Sequence, residues 1–518
     1  LKDSTEKVLA LTGKDAEKIV REFIEEAKTE VECDVRVLPI SVAAFMTPKL
    51  ILENLGKEDV SGYDVVFTPG MMRGDLAKVG DFLGVRVLKG SRYASDFPLI
   101  LENLDLDYST ERPADRLLLE FKINKAMEII ESANAKPLVL SRSNFMIGRL
   151  KVGLDYPPRI VAEVVDAPKR SNESILELVK YYLDSGAEII DVGALAGLPN
   201  PERIGEIIGL IKELFSVPVS VDTLDEREIL VGVEAGAELI LSIDFGNLEV
   251  VDSLSEEVAL TVIPTNVKKG YMPKSAKERV ENSLKLRDIL LEKGFEKLLI
   301  DPLLESAVHP GLMNSLLCYH LFREADSVTP MLMGVGNVVE LADADSPGMN
   351  MLLAGIAVEE NISCILTTEV SVKNTYSVNE LVRGRNLAFV SNVKKAYPKD
   401  QGIDLLVAKS KRRGEPLEDI TGIPQIKAKP VKGFKMDPLG VFRIWVNHTE
   451  KEIMVVHYSA EGEKTKAFIG NSSQNLYRKI LNQGLVSEMT HAAYLGSELS
   501  KAEACLKLGK TYMQDEPF

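Results

Sequence analysis

The chain predicts an α/β protein with a (β/α)8 barrel at its centre. Three observations carry this. Between about residues 155 and 395, short apolar runs, eight in all, alternate with amphipathic stretches of helical spacing. Nearly every run closes on a polar residue. On either side the pattern changes: strand–helix alternation of a doubly wound α/β domain precedes the barrel, and a small α+β domain follows it. The expected domains are residues 1–150, 155–395 and 430–518.

The first domain opens with the apolar run Val8–Thr12, which ends at Gly13. From Lys14 to Ala27, Ala16, Ile19, Val20, Phe23 and Ile24 fall at helical spacing. Further strands are expected at Asp34–Leu38, Asp64–Gly70 and Val85–Leu88. Thr12-Gly13-Lys14 lacks the glycine pattern of a phosphate-binding loop, so it reads as a strand-to-helix turn.

The barrel runs are Ile160–Val164, Glu188–Val192, Pro218–Asp222, Glu238–Asp244, Leu260–Thr265, Lys297–Asp301, Pro330–Val335 and Cys364–Glu369. Strands buried on both faces read as near-continuous apolar runs, and these mostly do. Between them, Ser174–Leu183, Ile204–Leu214 and Ala276–Leu291 have the period of helices, and Gly186 and Gly236 stand where a helix C-terminal glycine is expected.

Past residue 395, Lys409–Lys432 is rich in Lys, Arg, Pro and Gly and reads as a connection. Phe442–Val446 and Glu452–His457 read as a hairpin. Helical spacing returns over Asn475–Gln483 and His491–Leu508, with His491 as a capping or surface histidine.

Composition narrows the function classes. A net charge of −16 argues against a nucleic-acid-binding protein, which needs a basic surface. No apolar stretch is long enough to span a membrane, and no secretory signal is visible at the N-terminus. The 4 cysteines are scattered without a CxxC pair, and Cys318 and Cys364 sit in apolar runs, so core packing in a reducing cytoplasm is expected. None of the 5 histidines is paired at metal-ligand spacing, so no protein-held metal is expected.

The strand ends carry the chemical signal: Glu163 and Asp166, Asp191, Asp222, Asp244, Thr265 and Asn266, Asp301, Asn337 and Glu369. In a (β/α)8 barrel these ends converge on one mouth, where active sites are built. Any one of them can merely cap a strand. Together, so many carboxylates repel one another, and a ligand with several N–H donors or a cation would offset that cost.

At the barrel the residues resemble a known family. Glu188-Ile-Ile-Asp-Val-Gly193, Val219-Ser-Val-Asp-Thr223 and Leu299-Ile-Asp-Pro302 are similar to strands two, three and six of dihydropteroate synthases. Gly334-Val-Gly-Asn-Val338 is more similar to the seventh strand of pterin-dependent, corrinoid-linked methyltransferases. The three-part architecture resembles the archaeal dihydropteroate synthase-related proteins over essentially the whole chain.

The resemblance implies pterin contacts for Asp222, Asp244 (with Ser242 as the alternative at that strand), Asp301 and Asn337, and places Asp191 and Asn337 at the reacting side. The family's basic residues on strands seven and eight are absent: Asn337-Val-Val-Glu340 and Thr367-Thr368-Glu369 stand there. Lys268 and Lys269, or Arg383 and Arg385, are the candidate replacements for binding an anion.

Three functions follow from the resemblance. In the first, a hydroxymethyl-dihydropterin diphosphate condenses with an arylamine, as in folate or tetrahydromethanopterin biosynthesis, with Mg²⁺ on the diphosphate. The second is methyl transfer between a tetrahydropterin and a corrinoid protein. The third is a non-catalytic pterin-binding scaffold. The resemblance also implies a homodimer.

Overall fold

The structure, a computed structural model, describes residues 6–411, 421–428 and 435–518. Much of the Lys409–Lys432 connection expected from the sequence lies outside these residues. The chain divides into two compact units, one of residues 1–129 with 400–402, the other of 130–399 with 403–518.

The first unit holds four parallel strands, β1 (Lys7–Thr12), β2 (Glu32–Val37), β3 (Val65–Thr68) and β4 (Arg86–Lys89), in the order β2-β1-β3-β4. Alternation along the strands serves two faces. Leu9, Leu11 and Val66 pack into one cluster, and Val8, Ala10, Val65 and Phe67 into the other. Each face is covered by helices, as a doubly wound sheet requires. The Gly13 turn packs against the backbone of the segment that follows β2: a Cβ there would lie 2.7 Å from the Ser41 carbonyl oxygen.

The second unit begins with a short hairpin, β5 (Asn144–Ile147) and β6 (Leu150–Gly153). The barrel strands follow: β7 (Arg159–Val164), β8 (Ile189–Gly193), β9 (Val219–Asp222), β10 (Leu239–Ile243), β11 (Ala259–Val262), β12 (Leu298–Ile300), β13 (Leu332–Gly334) and β14 (Cys364–Thr367). They form one 8-stranded sheet in the order β12-β11-β10-β9-β8-β7-β14-β13. A parallel bridge from Ile300 to Met331 joins its two ends and closes the barrel.

The two faces of the barrel strands differ in character along the axis. Outward residues such as Ile160, Ala162, Ile190, Val219 and Val221 pack against the helices. Inward residues near the strand starts, Val161, Ile189, Leu239, Ala259, Leu299, Leu332 and Cys364, form a separate apolar cluster with Phe145, Ile147 and Val152 of the hairpin. The hairpin thus plugs the N-terminal end. One step further along the lumen the parity of the strands points polar side chains inward: Glu163, Asp191, Ser220, Asp222 and Asp301.

Helix ends behave as the sequence predicts. Gly186 and Gly236, one residue past the caps at Ser185 and Ala235, take φ of 99° and 110°, conformations only glycine adopts cheaply. Ser171, Asn200, Asp225 and Ser275 each accept a backbone N–H at a helix start. Such a cap contributes about 1 kcal/mol.

The C-terminal part carries β15 (Val441–Asn447), β16 (Glu452–Tyr458) and β17 (Lys464–Gly470) in an antiparallel sheet, with helices Ser473–Asn482 and Met489–Leu508 on one side. The expected hairpin is β15–β16. The third strand, β17, is an exposed edge strand bearing Lys464 and Lys466, so its sequence has no buried alternation to announce it. His491 is not a surface residue. It is buried in the first turns of the last helix, and Nδ1 lies 3.0 Å from Asp437.

Candidate functional site

Glu163, Asp191 and Asp222 meet inside the barrel mouth. Glu163 pairs with Asp191 in the β7–β8 register, and Asp222 follows one step higher, opposite Gly193. One oxygen from each lies within 4.8 Å of the others. Asp191 is fully buried. One of its oxygens accepts from the Ser220 hydroxyl at 2.6 Å, and the other has no hydrogen-bond partner. Glu163 and Asp222 are half-buried and open toward the mouth.

Burial and mutual repulsion push these groups up. The Glu163 carboxyl rises to about 8 through burial and the charges of Asp222, Glu340 and Asp166. Asp222 rises to about 7 through burial and the Asp301 charge. Burial, then Asp222 and Glu163, holds Asp191 well above the usual carboxylate range. Among the described residues no salt bridge reaches any of the three.

Asp301 follows β12 on the same inner face. One oxygen accepts from the Tyr319 hydroxyl at 2.7 Å and the Leu303 amide at 2.8 Å. Among the described residues no hydrogen bond reaches the second oxygen. Burial raises Asp301 to about 6 against those hydrogen bonds. Behind it, Arg279 makes a buried ion pair with Glu305 at 2.7 Å and donates to the Leu303 carbonyl at 3.1 Å. Tyr319 and Arg279 come from helices, separated in sequence from the β12 end, and their amphipathic surroundings give no signal of this role.

The other expected residues fall differently. Asp244 is buried and its carboxylate is saturated: it accepts from the Gly246 amide at 2.6 Å, the Asn247 amide at 3.3 Å, the Thr265 hydroxyl at 2.9 Å and the Val267 amide at 2.7 Å. It staples two mouth loops together. Asn337 stands exposed on the rim, its amide 3.5 Å from the Leu304 carbonyl. Glu369 turns to the outer helices, accepting from Tyr181, Tyr376 and Val378.

Of the candidate anion-binding residues, Lys268 and Lys269 are exposed on the mouth rim, with Lys268 paired to Glu226 at 3.3 Å. Arg383 points outward and donates to the Asp404 carbonyl. Arg385 is at the opposite end of the barrel. It is buried, 2.9 Å from Glu188 and 2.6 Å from the Pro158 carbonyl. The helix Ser377–Lys394 starts at the mouth and runs back down the outside, so a residue two turns in cannot reach the mouth.

Chemically, the well can hold a cation or share protons among its carboxylates, and the free Asp301 oxygen can accept from a ligand's N–H edge. The comparisons with known proteins agree with a barrel of this kind. Residues 164–343 match the family described as pterin binding enzyme. Residues 6–92 match a family of unknown function, DUF6513, and residues 436–515 the family PterinBD-DUF4346.

An uncharacterized protein of Methanocaldococcus jannaschii, MJ0107, is 36% identical over 522 residues, covering 98% of each chain. A dihydropteroate synthase of Clostridium beijerinckii is 42% identical over 71 residues, 12% of this chain and 26% of that one. The solved dihydropteroate synthase of Yersinia pestis overlays on 49% of this chain and 100% of its own, at 18% identity and a TM-score of 0.38. The chain belongs to the family of the M. jannaschii protein, and its barrel carries the pterin binding enzyme domain.

Proposed function

We propose that the chain is a dihydropteroate synthase-like transferase that condenses a hydroxymethyl-dihydropterin diphosphate with an arylamine. The observation that carries this is Asp301: a carboxylate with one oxygen pinned by Tyr319 and Leu303 and the other facing the lumen. The 2-amino and ring N–H groups of a pterin form a paired donor edge, and a carboxylate is the acceptor that matches it. Asp222 faces the same lumen, close enough for the Asp301 charge to act on it.

In the reaction the arylamine nitrogen forms a bond to the pterin CH₂ carbon as the C–O bond to diphosphate breaks. Diphosphate leaves with the electron pair, and the amine gives up a proton. The acidic well stabilises positive charge developing on the pterin. Glu163 and Asp222, pushed to about 8 and about 7, are poised to take the proton near neutral pH. Asp191 lies below them, held by the Ser220 hydroxyl. Lys268 and Lys269 face the departing diphosphate from the rim.

The test is calorimetric titration with 6-hydroxymethyl-7,8-dihydropterin diphosphate, with and without Mg²⁺, followed by assay of pyrophosphate release. Release that requires both pterin diphosphate and arylamine supports the reading. Absence of pterin binding by the intact chain would sink it.

A second reading is favoured by the rim. Leu198, Val308, Leu341 and Val372, on the loops after β8, β12, β13 and β14, are 66%, 96%, 70% and 70% exposed. A collar of apolar side chains around a polar well suits a partner domain that seats on the mouth, as methyl transfer from a tetrahydropterin to a corrinoid protein would need. In that case methyl-tetrahydropterin should change the spectrum of a reduced corrinoid protein. A non-catalytic scaffold would bind pterin and do neither.

A further inference from the structure

We propose that Glu163, Asp191 and Asp222 form a binding site for a hard divalent cation, Mg²⁺ or Mn²⁺, which the protein holds by itself, ahead of any substrate. The site shares the mouth with the pterin reading but stands on the carboxylates alone.

Geometry comes first. Three adjacent strands deliver three carboxylates to one point of the lumen, each with an oxygen within 4.8 Å of the other two. Oxygen ligands lie about 2.0–2.6 Å from Mg²⁺ or Ca²⁺, so oxygens across such an ion are about 4–5 Å apart. Oxygens this close can share one ion, and an all-carboxylate set selects a hard cation. Glu163 and Asp222 are open enough to the mouth to leave room for water or substrate oxygens on the remaining positions.

The second observation is independent of the clustering. Asp191 is 0% exposed, and one of its oxygens has no hydrogen-bond partner. A buried carboxylate oxygen left unmatched is costly, and natural structures fill such positions. The orphan lies among the same three groups. On the other flank Thr367 pairs with Ala162, so Thr368 falls in register beside Glu163. The Thr368 hydroxyl, on a residue 9% exposed, also lacks a partner.

Apart from Asp301 in the same mouth, the other carboxylates drawn into the interior among the described residues are answered by protein groups. Glu188 has Arg159 and Arg385, Glu305 has Arg279, Asp326 has Arg287, and Asp437 has His491. Buried Asp244 is saturated by amides and a hydroxyl. Among the described residues the mouth triad alone gathers three carboxylates with no paired protein cation. Three carboxylates gathered without one leave a place that a cation from outside can fill.

The experiment uses the full chain, stripped with a chelator and titrated with Mn²⁺ alone, following free Mn²⁺ by electron paramagnetic resonance. One saturable Mn²⁺ per chain, displaced by Mg²⁺, is expected, with affinity at least tenfold weaker in Asp191→Asn and Glu163→Gln. No saturable site in the wild type, or affinities within twofold in both variants, overturns the proposal. Should the variants misfold, Fe²⁺-promoted oxidative cleavage of the wild-type chain decides. Cuts near residues 163, 191 and 222 support the site, and cuts only elsewhere overturn it. Pterin titrated in parallel separates the two ideas. Pterin binding without Mn²⁺ binding removes only the metal site, and the reverse removes only the pterin reading.

Discussion

The two ends of the barrel treat buried carboxylates in opposite ways. At the N-terminal end Glu188 sits between two arginines: Arg159 at 2.8 Å and Arg385 at 2.9 Å. Burial pushes its carboxyl up, but the Arg385 and Arg159 charges outweigh burial and hold it below the usual range. At the mouth, burial acts on Glu163, Asp191 and Asp222 with no arginine to oppose it, and all three rise. One end is a completed ion cluster packed on a hairpin plug. The other is an unfinished one. In a (β/α)8 barrel stability belongs to the N-terminal face and chemistry to the C-terminal face, and here the charges are divided the same way.

The largest expected effect breaks the completed end. Arg385→Ala leaves Glu188 with half its compensation and frees the Pro158 carbonyl. Loss of one partner from a buried pair costs about 3–5 kcal/mol. Urea denaturation should show that loss, while the folded fraction keeps its affinity for pterin. Weakened pterin affinity in the folded protein would mean the two ends are coupled and the contrast is misdrawn.

At the mouth the sign reverses. Asp301→Ala should lower pterin affinity by about 2–4 kcal/mol, because it removes a charge-assisted pair in a buried pocket. Its effect on stability should be smaller, since burial opposes its charge in the folded state. Calorimetry on the folded variant checks the first part and thermal unfolding the second. Unchanged affinity would place the pterin elsewhere.

The contrast extends to pH. Glu163, Asp222 and Asp301, at about 8, 7 and 6, hold protons in the folded state that the unfolded chain, with carboxylates near about 4, has already released. Their contribution is therefore full below about pH 4 and is lost as pH rises through about 6 to 8. Glu188 runs the other way, stabilising above its unfolded value and losing that as pH falls. Metal-free protein should lose thermal stability between pH 5 and pH 8, and Asp191→Asn should flatten that slope. A slope unchanged by the substitution would show that the mouth charges do not limit stability.

Much of this division was legible before the fold was known, and the gaps have physical causes. The barrel strands announce themselves because a strand buried on both faces must be apolar throughout, and Asp191, Asp222 and Asp301 stand out at their ends. Glu163 was visible as a strand end, but the register that sets it against Asp191 is not. Tyr319 bonds to Asp301 from a helix 18 residues on, and Arg279 acts on it through charge alone; no local pattern predicts either. Asp244 looked like its neighbours, yet its oxygens are spent on Gly246, Asn247, Thr265 and Val267. Arg385 was visible as a charge, but only helix direction shows which end it serves. The hairpin β5–β6 escapes sequence reading because each of its strands is only 4 residues long, and the edge strand β17 because it is exposed and lacks a strand's apolar signature.

The smallest stability effect gives the sharpest functional division. Asn337 is exposed, and among the described residues its side chain makes one long hydrogen bond, 3.5 Å to the Leu304 carbonyl, so Asn337→Ala should change stability by no more than about 0.5 kcal/mol. Any catalytic effect then cannot come from unfolding. If the mouth transfers a methyl group, a rim amide that stabilises a protonated pterin ring nitrogen acts in the transition state, and turnover should fall more than pterin affinity. If the mouth condenses pterin diphosphate with an arylamine, the proton leaves from the amine toward Glu163 and Asp222. Removing Asn337 should then cost little in either quantity. Steady-state turnover and calorimetric affinity on the same variant separate these outcomes, and a loss confined to affinity would count against both.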